Sequence, residues 1–145
     1  MAGCTLAIPP GAGEAPLPAL DAAAALRAFD SVCGAGLPDF TRTAADLRGA
    51  GYIARPDTGV LYSRDADLSF RIIPGPAPGA TCDMTFGTTE DAETVRDVFA
   101  DIGAFGPTDL GNAALYRGTG ALVFLNAPIT RGDRTRINIR LLAER

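Results

Sequence analysis

Thr81-Cys82-Asp83-Met84-Thr85-Phe86 is the stretch on which the reading of this chain turns. It alternates strictly, which predicts a strand with Cys82, Met84 and Phe86 on one face and Thr81, Asp83 and Thr85 on the other. Its apolar face carries a cysteine. So does the apolar stripe of an earlier segment, Leu26, Phe29 and Cys33, at helical spacing. The two stripes are expected to meet, helix on strand, with Cys33 and Cys82 at the contact.

Outward from this strand, elements follow from period and punctuation. The first helix is predicted from about Leu20 to Cys33, with Asp21 in its first turn complementing the helix dipole and Gly34 and Gly36 ending it. A short second helix, about Thr43 to Arg48, takes Asp39 or Thr41 as its cap. Strands Gly59 to Ser63 and Leu68 to Ile73 flank a four-residue hairpin loop, Arg64-Asp65-Ala66-Asp67. After Phe86, about Thr89 to Ile102 reads as the longest helix, burying Ala92, Val95, Val98, Phe99 and Ile102. Strands four and five, Ala113 to Arg117 and Ala121 to Asn126, turn at Gly118-Thr119-Gly120. Strand six, Thr135 to Leu142, points Ile137, Ile139 and Leu141 inward and Arg136, Asn138 and Arg140 outward.

The expected fold class is therefore α+β: a six-stranded antiparallel sheet with two or three helices packed on it, in a single domain over residues 19–145. Residues 1–18 are expected to be a flexible N-terminal tether, because Thr5 to Pro18 is rich in Pro, Gly and Ala and has no period. Helix and three strands occur twice, which suggests an (α-β-β-β)x2 internal duplication. At an ungapped offset, Gly49-Ala50 falls on Gly103-Ala104, Leu61-Tyr62 on Leu115-Tyr116, Leu68 on Leu122, Phe70 on Phe124 and Pro74 on Pro128.

Composition narrows the function. The chain of 145 residues has a net charge of −4, which argues against nucleic acid as a partner, since duplex binding needs a basic face. The charge is uneven: Arg131, Arg134, Arg136, Arg140 and Arg145 outweigh Asp133 and Glu144 near the C-terminus. That stretch reads first as a solvated strand face and second as a small anion site. Histidine is absent, which removes Ser-His-Asp and Cys-His nucleophile systems and the usual histidine-containing metal sites. Three cysteines are too few for a Cys4 site, so no cofactor or metal is expected. No apolar run is long enough to span a membrane.

The start, Met1-Ala2-Gly3-Cys4, resembles the end of a bacterial lipoprotein signal of the Leu-Ala-Gly-Cys type, whose cysteine is lipidated after cleavage. Cys4 is accordingly a candidate lipidation site and the chain a candidate lipid-anchored protein. The alternative is a free cysteine in a loose terminus.

Cys33 and Cys82 fit a structural disulfide best; two buried free thiols and a redox pair are the alternatives. A disulfide implies export. Asp65-Ala66-Asp67 lacks the further ligands of a calcium loop and reads as a polar hairpin tip. Arg131-Gly132-Asp133 reads as a turn. Glu90, Asp91, Glu93, Asp97 and Asp101 form an acidic helix face. Tyr62, Tyr116, Arg71, Arg136 and Arg140 are candidates to line a ligand-binding sheet face.

Phe29-Asp30-Ser31-Val32-Cys33, Leu37-Pro38-Asp39-Phe40, Gly51-Tyr52 and Leu68-Ser69-Phe70 leading to Cys82 form a pattern. It resembles small uncharacterised exported proteins of GC-rich proteobacteria. The resemblance implies a Cys33–Cys82 pairing and export, and no activity. The expectation is a non-catalytic exported binding domain, periplasmic or lipid-anchored, for a protein or small-ligand partner. The alternative is a cytoplasmic, acidic, homodimeric binding protein of the secretion-chaperone type. Third is a histidine-free enzyme using Asp, Tyr or Arg.

Overall fold

The computed structural model describes residues 17–76, 79–109 and 111–143. The lipidation candidate, Cys4, and most of the expected tether lie outside the described residues. Among those described, α1 (Ala22–Phe29) runs into a π-helical turn (Asp30–Gly34), and α2 is Thr43–Gly49. Strands β1 (Ile53–Ala54), β2 (Leu61–Tyr62), β3 (Leu68–Ile73) and β4 (Thr81–Thr88) follow. Then come α3 (Ala92–Phe99), β5 (Gly106–Thr108), β6 (Gly111–Leu115), β7 (Leu122–Leu125), β8 (Ile129–Arg131) and β9 (Arg134–Leu142).

All strands pair antiparallel in one sheet, in the order β1-β2-β3-β4-β9-β7-β6-β5, with β8 paired to β9. The α+β class with a large antiparallel sheet holds. The count of six does not: the described residues form nine strands. The three additions, β1, β5 and β8, are two or three residues long and carry no readable alternation. β8 closes onto β9 through Gly132-Asp133, so the Arg131-Gly132-Asp133 tripeptide is a hairpin turn.

The strand order is symmetric about the central β4–β9 pair, but the ungapped repeat is not a structural equivalence. Leu61, Leu68 and Phe70 are in the core, whereas Leu115 and Leu122 are exposed on the opposite face of the sheet. Side chains alternate with period two, so an even offset between strands whose core positions have opposite parity pairs inward residues with outward ones. Tyr62 and Tyr116 separate for the same reason.

The helices pack on the Cys82, Met84 and Phe86 face. The Cys33–Cys82 disulfide joins the π turn to β4, with Cα atoms 5.5 Å apart. Phe99 of α3 stacks on Phe86 and meets Phe29 of α1 edge to face. The stripe of α1 is Ala22, Ala25, Phe29 and Cys33; Leu26 is only half-buried beside it.

Helix ends are set by carboxylates. Asp21 is the N-cap of α1 rather than part of its first turn, accepting from the Ala24 N–H at 2.7 Å. Asp91 caps α3 through the Thr94 N–H at 2.8 Å, which starts that helix later than its sequence suggests and leaves it no longer than α1. Glu90 also accepts from the Ala22 N–H, tying the two helix starts together. Neither expected residue caps α2: Asp39 accepts instead from the N–H and hydroxyl of Thr41.

The last two residues of the expected tether are held against the domain. The Leu17 carbonyl accepts from Arg134 at 2.9 Å and the Pro18 carbonyl from the Asp67 N–H at 2.8 Å.

Candidate functional site

Because the helices occupy one side, register determines what the other side displays. Reading outward from β4, Asp83 lies between Arg71 of β3 and Arg140 of β9. Thr85 lies between Ser69 and Asn138, and Gly87 lies beside Arg136. Ile73, Thr81, Leu142, Leu122 and Leu115 form the next row toward one end of the strands. Among the described residues, no helix covers this face.

Its polar centre is tightly organised. The Asp83 side chain is only 10% exposed and takes both Nε (2.8 Å) and Nη2 (3.0 Å) of Arg140. Asn138 donates to Thr85 at 3.0 Å and accepts from Asn126. Asp67, expected at a solvated hairpin tip, instead folds over Gly87 and holds Arg134 (2.9 Å) and Arg136 (3.3 Å). A Cβ at position 87 would collide with the Asp67 carboxylate and the Arg134 stem, so this approach requires glycine. Three arginines of the basic stretch, Arg134, Arg136 and Arg140, are thus paired strand residues rather than a purely solvated face. Arg71 is exposed and, among the described residues, has no carboxylate within ion-pair distance.

Six large apolar side chains are exposed on this same face by register: Ile53, Tyr62, Ile73, Leu115, Leu122 and Ile129. Exposed apolar residues are ordinary when scattered, but these share one side of one sheet. Both sheet edges are short, and one carries Pro107, which discourages pairing by an added strand.

Four of the five expected ligand-face residues, Tyr62, Arg71, Arg136 and Arg140, therefore lie together on the helix-free face. The fifth, Tyr116, lies on the helix side. It packs edge to face on Phe29, and its hydroxyl donates to Asp30 in the π turn at 2.6 Å. Gly34 makes room for that hydroxyl; any Cβ there would overlap it. Arg117, at φ +42°, adds ion pairs to Asp30 (2.7 Å) and Asp101 (3.1 Å).

This is the Asp, Tyr and Arg constellation an enzyme without histidine would need, but its chemistry points elsewhere. Burial, and then the hydrogen bond to Asp30, push the Tyr116 hydroxyl up to about 12, which keeps it protonated at neutral pH. Its acceptor is already occupied. It locks the π turn to the end of β6.

No family model, no curated protein and no solved structure matches this chain. What the site can do must come from its own residues.

Two cavities lie on the helix side. One, about 590 Å³, sits between the π turn and α2, lined by Val32, Leu37, Asp39, Thr43, Leu47 and Tyr52. Its Asp39 carboxylate is engaged by Thr41. Tyr52 is raised above its ordinary pKa by burial and by Asp65. The other, about 390 Å³, lies under α3 beside Val95, Arg96, Asn112 and Leu125. Among the described residues, no cluster of three or more His, Cys, Asp or Glu is placed to hold a metal.

Sequence reading missed Asp83 and Asp67. A signal for Asp83 was present: an aspartate on the outward side of one strand and arginines on the outward side of another. Nothing in the sequence marked Asp67, because its partners are 67 and 69 residues away.

Proposed function

We propose that this protein is a non-catalytic binding domain whose helix-free sheet face is the recognition surface. The observation that carries this is the coincidence on one face of six exposed apolar side chains with Arg71, Arg136 and Arg140. An antiparallel sheet commonly leaves one face in water, and then that face is polar. Here it is mixed, in the pattern of an interface: apolar anchors beside oriented guanidinium groups.

We further propose that the domain is exported, as in the small proteobacterial proteins it resembles. The Cys33–Cys82 bridge supports this, because such bonds persist in oxidising compartments. The periplasm, with or without a lipid on Cys4, is the compartment this favours. A cytoplasmic secretion-chaperone role is less well supported, since it gives the bridge no purpose.

The test is selection from a displayed peptide library, followed by hydrogen exchange on the selected complexes. Protection confined to β3, β4, β7 and β9, and lost in Ile73→Thr/Leu122→Thr, is the expected result. Selected peptides that protect only the groove between the π turn and α2 would overturn it. Export is tested separately, by expressing the gene with its upstream sequence and fractionating the cells; retention in the cytoplasm would sink that part.

A further inference from the structure

The recognition face is complementary to one kind of occupant. We infer that it takes an acidic, amphipathic helical segment of a partner polypeptide; this rests on the binding reading above and specifies its ligand.

Ile73, Leu142, Leu122 and Leu115 lie in register on β3, β9, β7 and β6, with Thr81 between the first two. Four strand spacings make the row about 19 Å long. It ends in a shallow depression of about 490 Å³ beside Ala104, Thr108, Ala113, Leu115 and Leu122. An apolar row on the free face of an antiparallel sheet is surface that a packed helix can bury. This chain's own helices are spent on the other side. About 19 Å corresponds to roughly 13 helical residues at ~1.5 Å each.

Charge then sets the sign of the occupant. The adjacent row and the two rows beyond Asn138 hold Arg71, Arg140, Arg136, Arg131 and Arg134 against Asp83 and Asp67, a net +3 on a chain whose total is −4. Arg71 has no carboxylate within ion-pair distance among the described residues and stands about 10 Å from Arg140, on the other side of Asp83. A helix on the apolar row with carboxylates along its flank would reach both guanidinium groups. These are the fork-shaped donors suited to carboxylates.

Other occupants fit less well. A second copy would bring the same excess of arginine against itself. Its acidic amphipathic helix, α3, already buries Val95 and Phe99 in its own core. An anionic lipid surface is attracted by clusters of unpaired basic residues. Here Asp83 and Asp67 sit within the face and already neutralise part of it.

The experiment uses the full chain and a labelled helical peptide of about 14 residues, with leucines on one face and glutamates flanking them. Its counterpart carries glutamine for glutamate. Binding by anisotropy is expected for the glutamate peptide, at least about tenfold tighter than for the glutamine peptide. It should weaken as salt rises from about 50 to about 500 mM. Arg71→Gln and Leu122→Ser should each weaken it about tenfold while leaving the unfolding midpoint in place.

Equal affinity for the two peptides, with protection still on this face, overturns the acidic partner and leaves the binding face standing. Preference for phosphatidylglycerol vesicles overturns it in favour of a lipid surface. Light scattering that shows a dimer broken by Leu122→Ser overturns it in favour of self-association. Protection by either peptide only outside this face overturns both readings.

Discussion

Asp83 and Arg140 face each other across the central strand pair, and the carboxylate takes the guanidinium through two hydrogen bonds of 2.8 and 3.0 Å. The pair couples stability to the proposed surface, because Asp83 is nearly buried and Arg140 is half-exposed. Removing the arginine leaves a desolvated carboxylate. Arg140→Ala should therefore cost about 2–3 kcal/mol. Replacing both partners, Asp83→Val with Arg140→Leu, should recover most of it. Urea unfolding of the two variants decides this: equal losses in both would mean that the pair contributes through packing alone.

Gly34 and Tyr116 make a second coupled pair. A methyl group at position 34 meets the tyrosine hydroxyl, so Gly34→Ala should destabilise by about 1–3 kcal/mol. Tyr116→Phe removes the atom in closest contact but not the ring behind it. In that background the same change should cost less, and a double-mutant cycle measures the difference. Strict additivity would show that the two residues do not touch.

Tyr116 also gives a pH dependence. Its protonated, neutral form is the one favoured in the fold, with a pKa raised from 10.0 to about 12. The stabilisation is complete below pH 10 and is lost as pH rises toward about 12. Spectroscopic titration of the three tyrosines should show one ionising near the top of that range, absent in Tyr116→Phe. Three tyrosines titrating together near 10 would contradict it.

The bridge between Cys33 and Cys82 closes a loop of 49 residues. Chain entropy alone assigns it about 4 kcal/mol. Cys33→Ala/Cys82→Ala should lower the unfolding midpoint by on the order of 15 °C. Unfolded, non-reduced protein produced without a lipid on Cys4 should expose one thiol of three, that of Cys4; three thiols would remove the physical ground for export.

The faces of β4 and β9 were legible because alternation is local: each strand carries its own record of inside and outside. The same holds for the stripe of α3 and for the cysteine on β4. β1, β5 and β8 were not legible, since two or three residues cannot display a period. The pairing of the halves was misread for a related reason. Matching residue types carry no parity, and parity decides which side of a sheet a residue occupies.

The sequence by itself determined the helices, the long strands, the inward and outward sets of β4 and β9, and the placing of Cys33 and Cys82 on apolar faces. Tertiary structure alone decided which strands became neighbours. Asp83 acquired Arg140 from 57 residues away, and Asp67 acquired Arg134 and Arg136 from still farther. It also decided that all helices pack on one face, which leaves Arg71, Ile73, Leu115 and Leu122 together on the other. The reason is physical: periodicity is a property of a segment, whereas register and layer choice are set by how whole segments bury area against one another.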